Sequence, residues 1–346
     1  MAKQVRIKDI AIKAGVSAGT VDRVLHNRGE VKPETKELIL KIAKELDYKP
    51  NVAARLLKAP AEYKIGVLLP KPVNDKSFWT NHPIGINQAI ANSLPYNIKA
   101  DFYEFSLEHH QDFLQRAEEL MAAKPHGVIL APLYKDESQT FIKRLDELKI
   151  PYVFIDTNID GVNPLTYIGE DAMKSGRIAA SLVDAITPVD KDILIVNIAK
   201  SLVNTQHLNS RNQGFMAYFM ESGLNKGLKI NVDIPSDKNL EVKGKLDTVL
   251  SANTNIGAIL VSGSRTYVVA NYLENAGLDH VLVGYESIDE NIKYLNSGTI
   301  NFLVSQRPVE QAEKALQFLV DHLVNKNEIP NNHFQPVDIV NKEWFK

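Results

Sequence analysis

Hydrophobic positions follow two different periods along this chain. Up to about residue 58 they recur at three- and four-residue steps, the spacing of one helix face. Ile7, Ile10, Ala11 and Ala14 form the first such face. Gly15 stands where a helix ends in a left-handed turn at little cost, and Ser17 is placed to cap the next helix. Val21, Val24 and Leu25 give that second helix its apolar side. Pro33 opens a third helix, where its missing N–H costs nothing, and the expected buried stripe is Leu38, Ile39, Ile42, Ala43 and Leu46. Pro50 stops it, and Asn51 is a cap for one more short helix, VAARLLKA, before Pro60.

From Tyr63 onward the pattern changes to short apolar runs: KIGVLLP, HGVILAP, IPYVFID, DILIVNI, IGAILVS and HVLVGYE. These read as parallel strands covered on both faces. Amphipathic helical segments separate them, near 84–93, 110–123, 136–147, 172–186, 211–222, 239–251, 265–276 and 308–323. Strands alternating with helices predict α/β units on parallel sheets. About six units with additional strands exceed one open sheet, so two lobes of similar topology are expected. The predicted fold class is an all-α helix-turn-helix head followed by a two-lobed α/β body.

Charge sharpens that division. Residues 1–60 hold 13 Lys/Arg against 7 Asp/Glu, whereas the whole chain holds 40 against 42. A basic head on an acidic body fits a nucleic-acid reader joined to another function. The absence of cysteine excludes disulfides, thiolate metal sites and a cysteine nucleophile. Together with an N-terminus without an apolar signal region, it leads to the expectation of a cytoplasmic protein. No apolar run reaches the ~18 residues of a membrane span. His109 and His110 are adjacent rather than a turn apart, and no phosphate-binding Gly-rich loop is present, so no metal and no cofactor are implied.

Residues 15–29, GVSAGTVDRVLHNRG, open with the Gly-x-Ser-x-Gly of a nucleophile elbow. An elbow needs a strand before its serine, and IKDIAIKAG has helical spacing instead. Helix, glycine turn and second helix carrying basic and small polar residues fit a helix-turn-helix. The stretch from Val5 to Lys58, with KDIA, AGVS, TV-x-RVL, TKE and YKPN-x-x-A-R-x-L, resembles the DNA-binding head of the lactose-repressor/galactose-repressor family. The resemblance implies that Ala18, Gly19 and Asp22 face base edges in the major groove. It sets Arg23 on a guanine, where a bidentate fork fits O6 and N7. Ser17, Thr20 and Asn27 are set on phosphate, and Arg6 and Lys8 add sequence-blind attraction. Asn51, Ala54 and Leu57 fall on a hinge helix whose leucine wedges a minor-groove step. Asp22 departs from the serine more usual there. It either accepts from a cytosine amino group or pairs locally, for instance with His26.

The body, through IPYVFIDTNIDG, YIGEDAMKSGRIAASLV, SRNQGFMAY, VGYESIDE and LVSQRPVEQAEKAL, resembles the periplasmic sugar-binding proteins, closest to the ribose- and galactose-type branch. That likeness implies a sugar held between lobes by Asp156, Arg211, Ser264, Glu286 and Gln306, with Phe78 and Trp79 as stacking walls. Other readings stay open: Asp156 or Glu286 as a cap, Arg211 as a surface ion-pair partner, Trp79 as core. SGSR at 262–265 replaces the usual Asn-Asp, and Arg265 points either to an acidic or phosphorylated sugar or to solvent.

The expected domains are a head over 1–50, a hinge over 51–60, and a body over 61–346. Within the body, an N-lobe covers about 61–157 plus 289–323, and a C-lobe about 158–288 plus 324–346. The expected function is a sequence-specific transcription regulator, a repressor, acting as a homodimer on pseudo-palindromic operator DNA under allosteric control by a sugar-like effector. The tail, EWFK, lacks a leucine heptad, so no tetramer of that kind is expected. A stand-alone sugar-binding module is the alternative, and a sugar-modifying hydrolase using Asp156 and Glu286 is a remoter one.

Overall fold

The computed structural model describes residues 5–25, 30–46, 48, 62–72, 78–93, 96–198, 206–221 and 223–346. Four expected DNA contacts, Asn27, Asn51, Ala54 and Leu57, lie outside them, as do His26 and the expected hinge helix.

In the head, α1 (Ile7–Ala14), α2 (Ala18–Leu25) and α3 (Pro33–Glu45) pack around Ile10, Val21, Val24, Ile39 and Ile42. Gly15 takes φ 66° and closes α1. The Ser17 hydroxyl accepts the Thr20 N–H at 3.1 Å, the expected cap of α2. Leu38 departs from the expected stripe. It is 45% exposed, whereas Ile39 and Ile42 are buried and Ala43 and Leu46 pack partly against the same core.

The body is two sheets of the same plan. The first runs β11-β5-β4-β3-β1-β2, from β1 (Tyr63–Pro70), β2 (Ile98–Phe105), β3 (Gly127–Leu130), β4 (Tyr152–Ile155), β5 (Thr166–Glu170) and β11 (Asn332–Gln335). The second runs β12-β10-β9-β8-β6-β7, from β6 (Asp192–Ile198), β7 (Lys229–Ile234), β8 (Ile256–Val261), β9 (Val281–Tyr285), β10 (Phe302–Ser305) and β12 (Asp338–Val340). All pairings are parallel except β10 with β12. The inner strands are buried on both faces, which is why their sequences are continuously apolar. β2 and β7 lie at the sheet edges and are half exposed. Their sequences, IKADFYEF and KINVDI, therefore lack such a run.

Strand pairing shifts the expected lobe boundaries. β5 bonds to β4, so the first crossing follows Glu170 rather than residue 157. β10 bonds to β9, and α11 (Asp289–Ser297) packs on α10 (Thr266–Ala276), so 289–305 belongs to the second lobe. The chain returns with α12 (Pro308–Val320), which packs on α4 (His82–Asn92), and crosses a third time between β11 and β12. An apolar run shows that a strand exists but not which neighbour it bonds.

Each lobe has one helix pair in very close contact. A Cβ on Gly85 of α4 would sit 2.0 Å from the Val309 carbonyl of α12. A Cβ on Gly176 of α7 (Ala172–Ile186) would sit 1.9 Å from the Arg211 carbonyl of α8 (Gln206–Glu221). Alanine normally favours a helix over glycine by up to ~1 kcal/mol, but forcing backbones apart costs roughly 1–3 kcal/mol or more. Gly176→Ala should therefore lower stability in denaturant titration. Gly244→Ala, in α9 (Asn239–Ala252) with nothing within 4 Å of the new methyl, should raise it slightly.

Candidate functional site

The exposed side of α2 carries the expected DNA contacts. Gly19 and Arg23 are exposed, and Ala18, Thr20 and Asp22 are half-buried. Ser17 and Thr20 hydroxyls lie 2.9 Å apart. Arg6 and Lys8 are exposed at the start of α1, where the Arg6 N–H donates to Asp9 at 2.7 Å. Arg23 lines a groove of about 580 Å³ with Lys32, Lys36 and Glu30. The two lysines were not singled out from sequence, because only the fold sets the α3 N-terminus beside α2. The groove wall is basic, as phosphate contact requires.

The second site lies between the sheets. Asp156 directly follows β4 and Glu286 directly follows β9, the corresponding strand of the other lobe. Both adopt the left-handed backbone, φ 65° and 70°. Each donates its N–H to the neighbouring strand in the same way, Asp156 to Ile168 at 3.1 Å and Glu286 to Val304 at 2.9 Å. Residues of these types rarely take positive φ, and such strain collects at functional sites. Two residues beyond those acceptors come Glu170 in one lobe and Gln306 in the other. The site is thus built from two matched pairs.

Arg211, on α8, lies at the centre. It is 2% exposed, and its Nε donates to Glu170 at 2.5 Å. Its Nη1 donates to the Ser262 carbonyl at 2.6 Å, and its guanidinium lies 3.7 Å from the centre of the Tyr285 ring. Gln306 Nε2 donates to Glu286 at 2.8 Å. Burial pushes the Asp156 carboxyl up to about 7. Arg211 opposes that rise, and Glu286 and Glu170 add to it. Glu286 is likewise pushed up to about 7, by burial first, with Arg211 and Gln306 opposing and Glu170 reinforcing. Burial alone would lower Arg211, but Glu170, Tyr285 and Glu286 raise it overall.

Four expected ligand residues, Asp156, Arg211, Glu286 and Gln306, therefore form one electrostatic cluster. No helix starts directly after Asp156, and Ile288, not Glu286, is the N-cap of α11. Glu170, Ser262 and Tyr285 join the cluster without having been singled out from sequence. YIGED could have suggested Glu170, since an acid at the end of a buried run needs a partner.

The three other expected ligand residues make different contacts. Trp79 is buried in the first lobe's core, stacked on His82 with centroids 4.8 Å apart, and Phe78 packs edge-on to both. Trp79 accordingly reads as core. Ser264 contributes its carbonyl to Asn291 at 2.9 Å. Arg265 pairs with Asp237 at 3.0 Å, which removes the ground for an acidic or phosphorylated ligand. Among the described residues no group of three potential metal ligands occurs, and no helix is long and apolar enough to cross a membrane.

Comparison with known proteins gives the same two parts. Residues 6–51 match the bacterial regulatory proteins of the lacI family, and residues 65–327 match the periplasmic binding protein domain. The HTH-type transcriptional regulator RegA of Clostridium saccharobutylicum is 28% identical over 95% of each chain. The ribose operon repressor of Lactococcus lactis is 23% identical over 98% of each. The crystal structure of a putative LacI transcriptional regulator from Bacteroides fragilis superposes with a TM-score of 0.75 at 27% identity. It covers 82% of this chain and 98% of that one.

The raised carboxyls have a consequence for stability. Asp156 titrates at about 7 when folded and near 3.8 when free. The folded state therefore holds its proton more tightly, and this contribution is full below about 3.8 and lost as pH rises through about 7. Asp156→Asn should raise the melting temperature of the ligand-free protein at pH 8, by roughly 2–4 °C for each kcal/mol recovered. It should change little at pH 4. An equal effect at both pH values would show that Asp156 is not held protonated.

Proposed function

Because the chain belongs to the lacI family of bacterial regulatory proteins, with a periplasmic binding protein domain as its body, we propose that it is a cytoplasmic repressor. In this reading two copies pair and set their heads on the half-sites of a pseudo-palindromic operator. A small sugar or sugar derivative binds between the lobes and changes operator affinity. The single observation that carries this reading is the convergence of Asp156 and Glu170 from one lobe with Arg211, Glu286 and Gln306 from the other. Two of these five residues come from each sheet's equivalent strand ends, so a ligand touching both pairs senses the angle between lobes.

The open groups in the cleft support a polar, many-hydroxyl ligand. Arg211 Nη2, Glu170 Oε2 and Gln306 Oε1 are buried without a hydrogen-bond partner among the described residues, and leaving such groups unpaired costs roughly 1–3 kcal/mol each. The name of one relative, ribose operon repressor, points the same way. Coupling between cleft and operator is reciprocal and of the order of ~1–3 kcal/mol in such systems. Ligand-driven lobe closure changes the spacing of the two heads, and spacing sets the fit to two half-sites.

Selection of bound duplexes from a random DNA pool, with and without a mixed sugar extract, tests the whole reading. The expected result is an enriched palindrome whose recovery changes with the extract. Recovery of no sequence in either condition would leave a sugar-binding module without operator binding. Two variants separate the parts. Arg23→Ala should relax discrimination at one base pair per half-site by ~1–3 kcal/mol, whereas a uniform loss on every sequence would make it a phosphate contact. Arg211→Ala should lose the response to ligand while operator binding persists in gel-shift titration. A retained response would place the effector elsewhere.

A further inference from the structure

The cleft is unbalanced in charge. Asp156, Glu170 and Glu286 are exposed by only 9%, 2% and 4%, and among the described residues a single guanidinium, Arg211, shares their space. That guanidinium is already committed to Glu170 at 2.5 Å. Two other cations nearby in sequence are paired elsewhere. Arg265 is paired with Asp237 at 3.0 Å, and Arg307 with Asp338 through Nε at 2.9 Å. His207, with Nδ1 shut off from solvent, is lowered to about 3 by burial and by Arg211, and so contributes no charge. Among the described residues two buried carboxyls thus remain without a counter-charge of their own, a costly arrangement in a protein interior.

The hydrogen-bonding groups are unbalanced in the same direction. Glu286 accepts from Gln306 Nε2 at 2.8 Å. Gln306 Oε1 is left open, as is Glu170 Oε2. Asp156 has its backbone groups engaged, by Ile168 and by Tyr167 Oη at 3.1 Å, while its carboxylate has no hydrogen-bond donor among the described residues. Against these acceptors stands Arg211 Nη2, the one open charged donor among the described residues of the cluster. A hydroxyl brings one donor and further lone pairs, whereas an ammonium brings three donors, no lone pair and the missing charge.

We propose that the effector of this cleft carries a protonated amine, as an amino sugar does, seated between Asp156 of one lobe and Glu286 of the other with Glu170 beside them. This rests on the reading of the cleft as a sugar sensor and names the chemical class it selects. Arg211 Nη2 then serves a ring hydroxyl, and the acceptors take the ammonium hydrogens. A cation shared by two lobes gains most when both approach it, so its binding favours the closed arrangement. Carboxyls that hold protons near neutral pH when the cleft is empty release them to solvent as the ammonium binds.

The test measures binding to the full-length protein by calorimetry and thermal shift. The probes are D-glucosamine, D-galactosamine and D-mannosamine, their N-acetyl derivatives, the neutral parent hexoses, and D-glucuronate. The expected result is that at least one free amine binds tenfold or more tightly than its N-acetyl derivative and its parent hexose. Its affinity should fall tenfold or more between pH 7.5 and pH 5.5. There the amine stays charged while Asp156 and Glu286 take protons, with Glu170, Arg211 and the Tyr167 hydroxyl as the groups that face them. Asp156→Asn should erase the preference for the free amine over its N-acetyl form. Equal or tighter binding of a parent hexose, or of glucuronate, would overturn the amine while leaving the sugar sensor standing. No response to any probe, in binding or in operator affinity, would overturn both.

Discussion

The Arg211–Glu170 pair is the contact on which the body's geometry turns. Arg211 sits on α8 of the second lobe, and Glu170 ends β5 of the first. The same guanidinium holds the Ser262 carbonyl after β8 and covers the Tyr285 ring at the end of β9. One side chain therefore registers four elements against one another. Tyr285 is anchored from its far side, where the Ser175 hydroxyl donates to its Oη at 3.3 Å, and α7 lies against the Arg211 backbone through Gly176. Buried ion pairs are weak evidence for stability, but removing one partner from such a pair costs ~3–5 kcal/mol, because a charge is left uncompensated. The pair defines a position more than it adds stability.

The matched lobes explain how so much polarity is tolerated at that position. Each sheet presents the end of its fourth strand in sequence with an acid in the left-handed conformation, and the end of its fifth with a polar partner. Both acids take the left-handed backbone while their N–H groups stay bonded to the next strand. The protein thus forgoes some stability in the empty state for a site already shaped, as binding sites commonly do. The ion pair Arg307–Asp338 ties two of the three chain crossings together.

The head depends on different physics. Its buried core is small, so helix ends matter in proportion. Gly15 closes α1, Ser17 caps α2 and Pro33 starts α3. Each is local chemistry within a few residues, which is why helix starts and stops were legible there. The groove that Arg23 shares with Lys32 and Lys36 was not, because it depends on how α3 crosses α2.

By itself the sequence determined the classes of element, their order, the basic head, the two-sheet body and four members of the cleft. Those features follow from periodicity, local capping and a specific motif, all of which are properties of neighbouring residues. Only the tertiary structure decided which sheet each strand joins, since a doubly buried strand is apolar whichever partner it bonds. It also decided that Trp79 belongs to the core, that Arg265 is claimed by Asp237, and that Glu170 meets Arg211. Charges 41 residues apart have no signature of their meeting along the chain. Desolvation, which sets what those carboxyls can bind, exists only once the lobes enclose them.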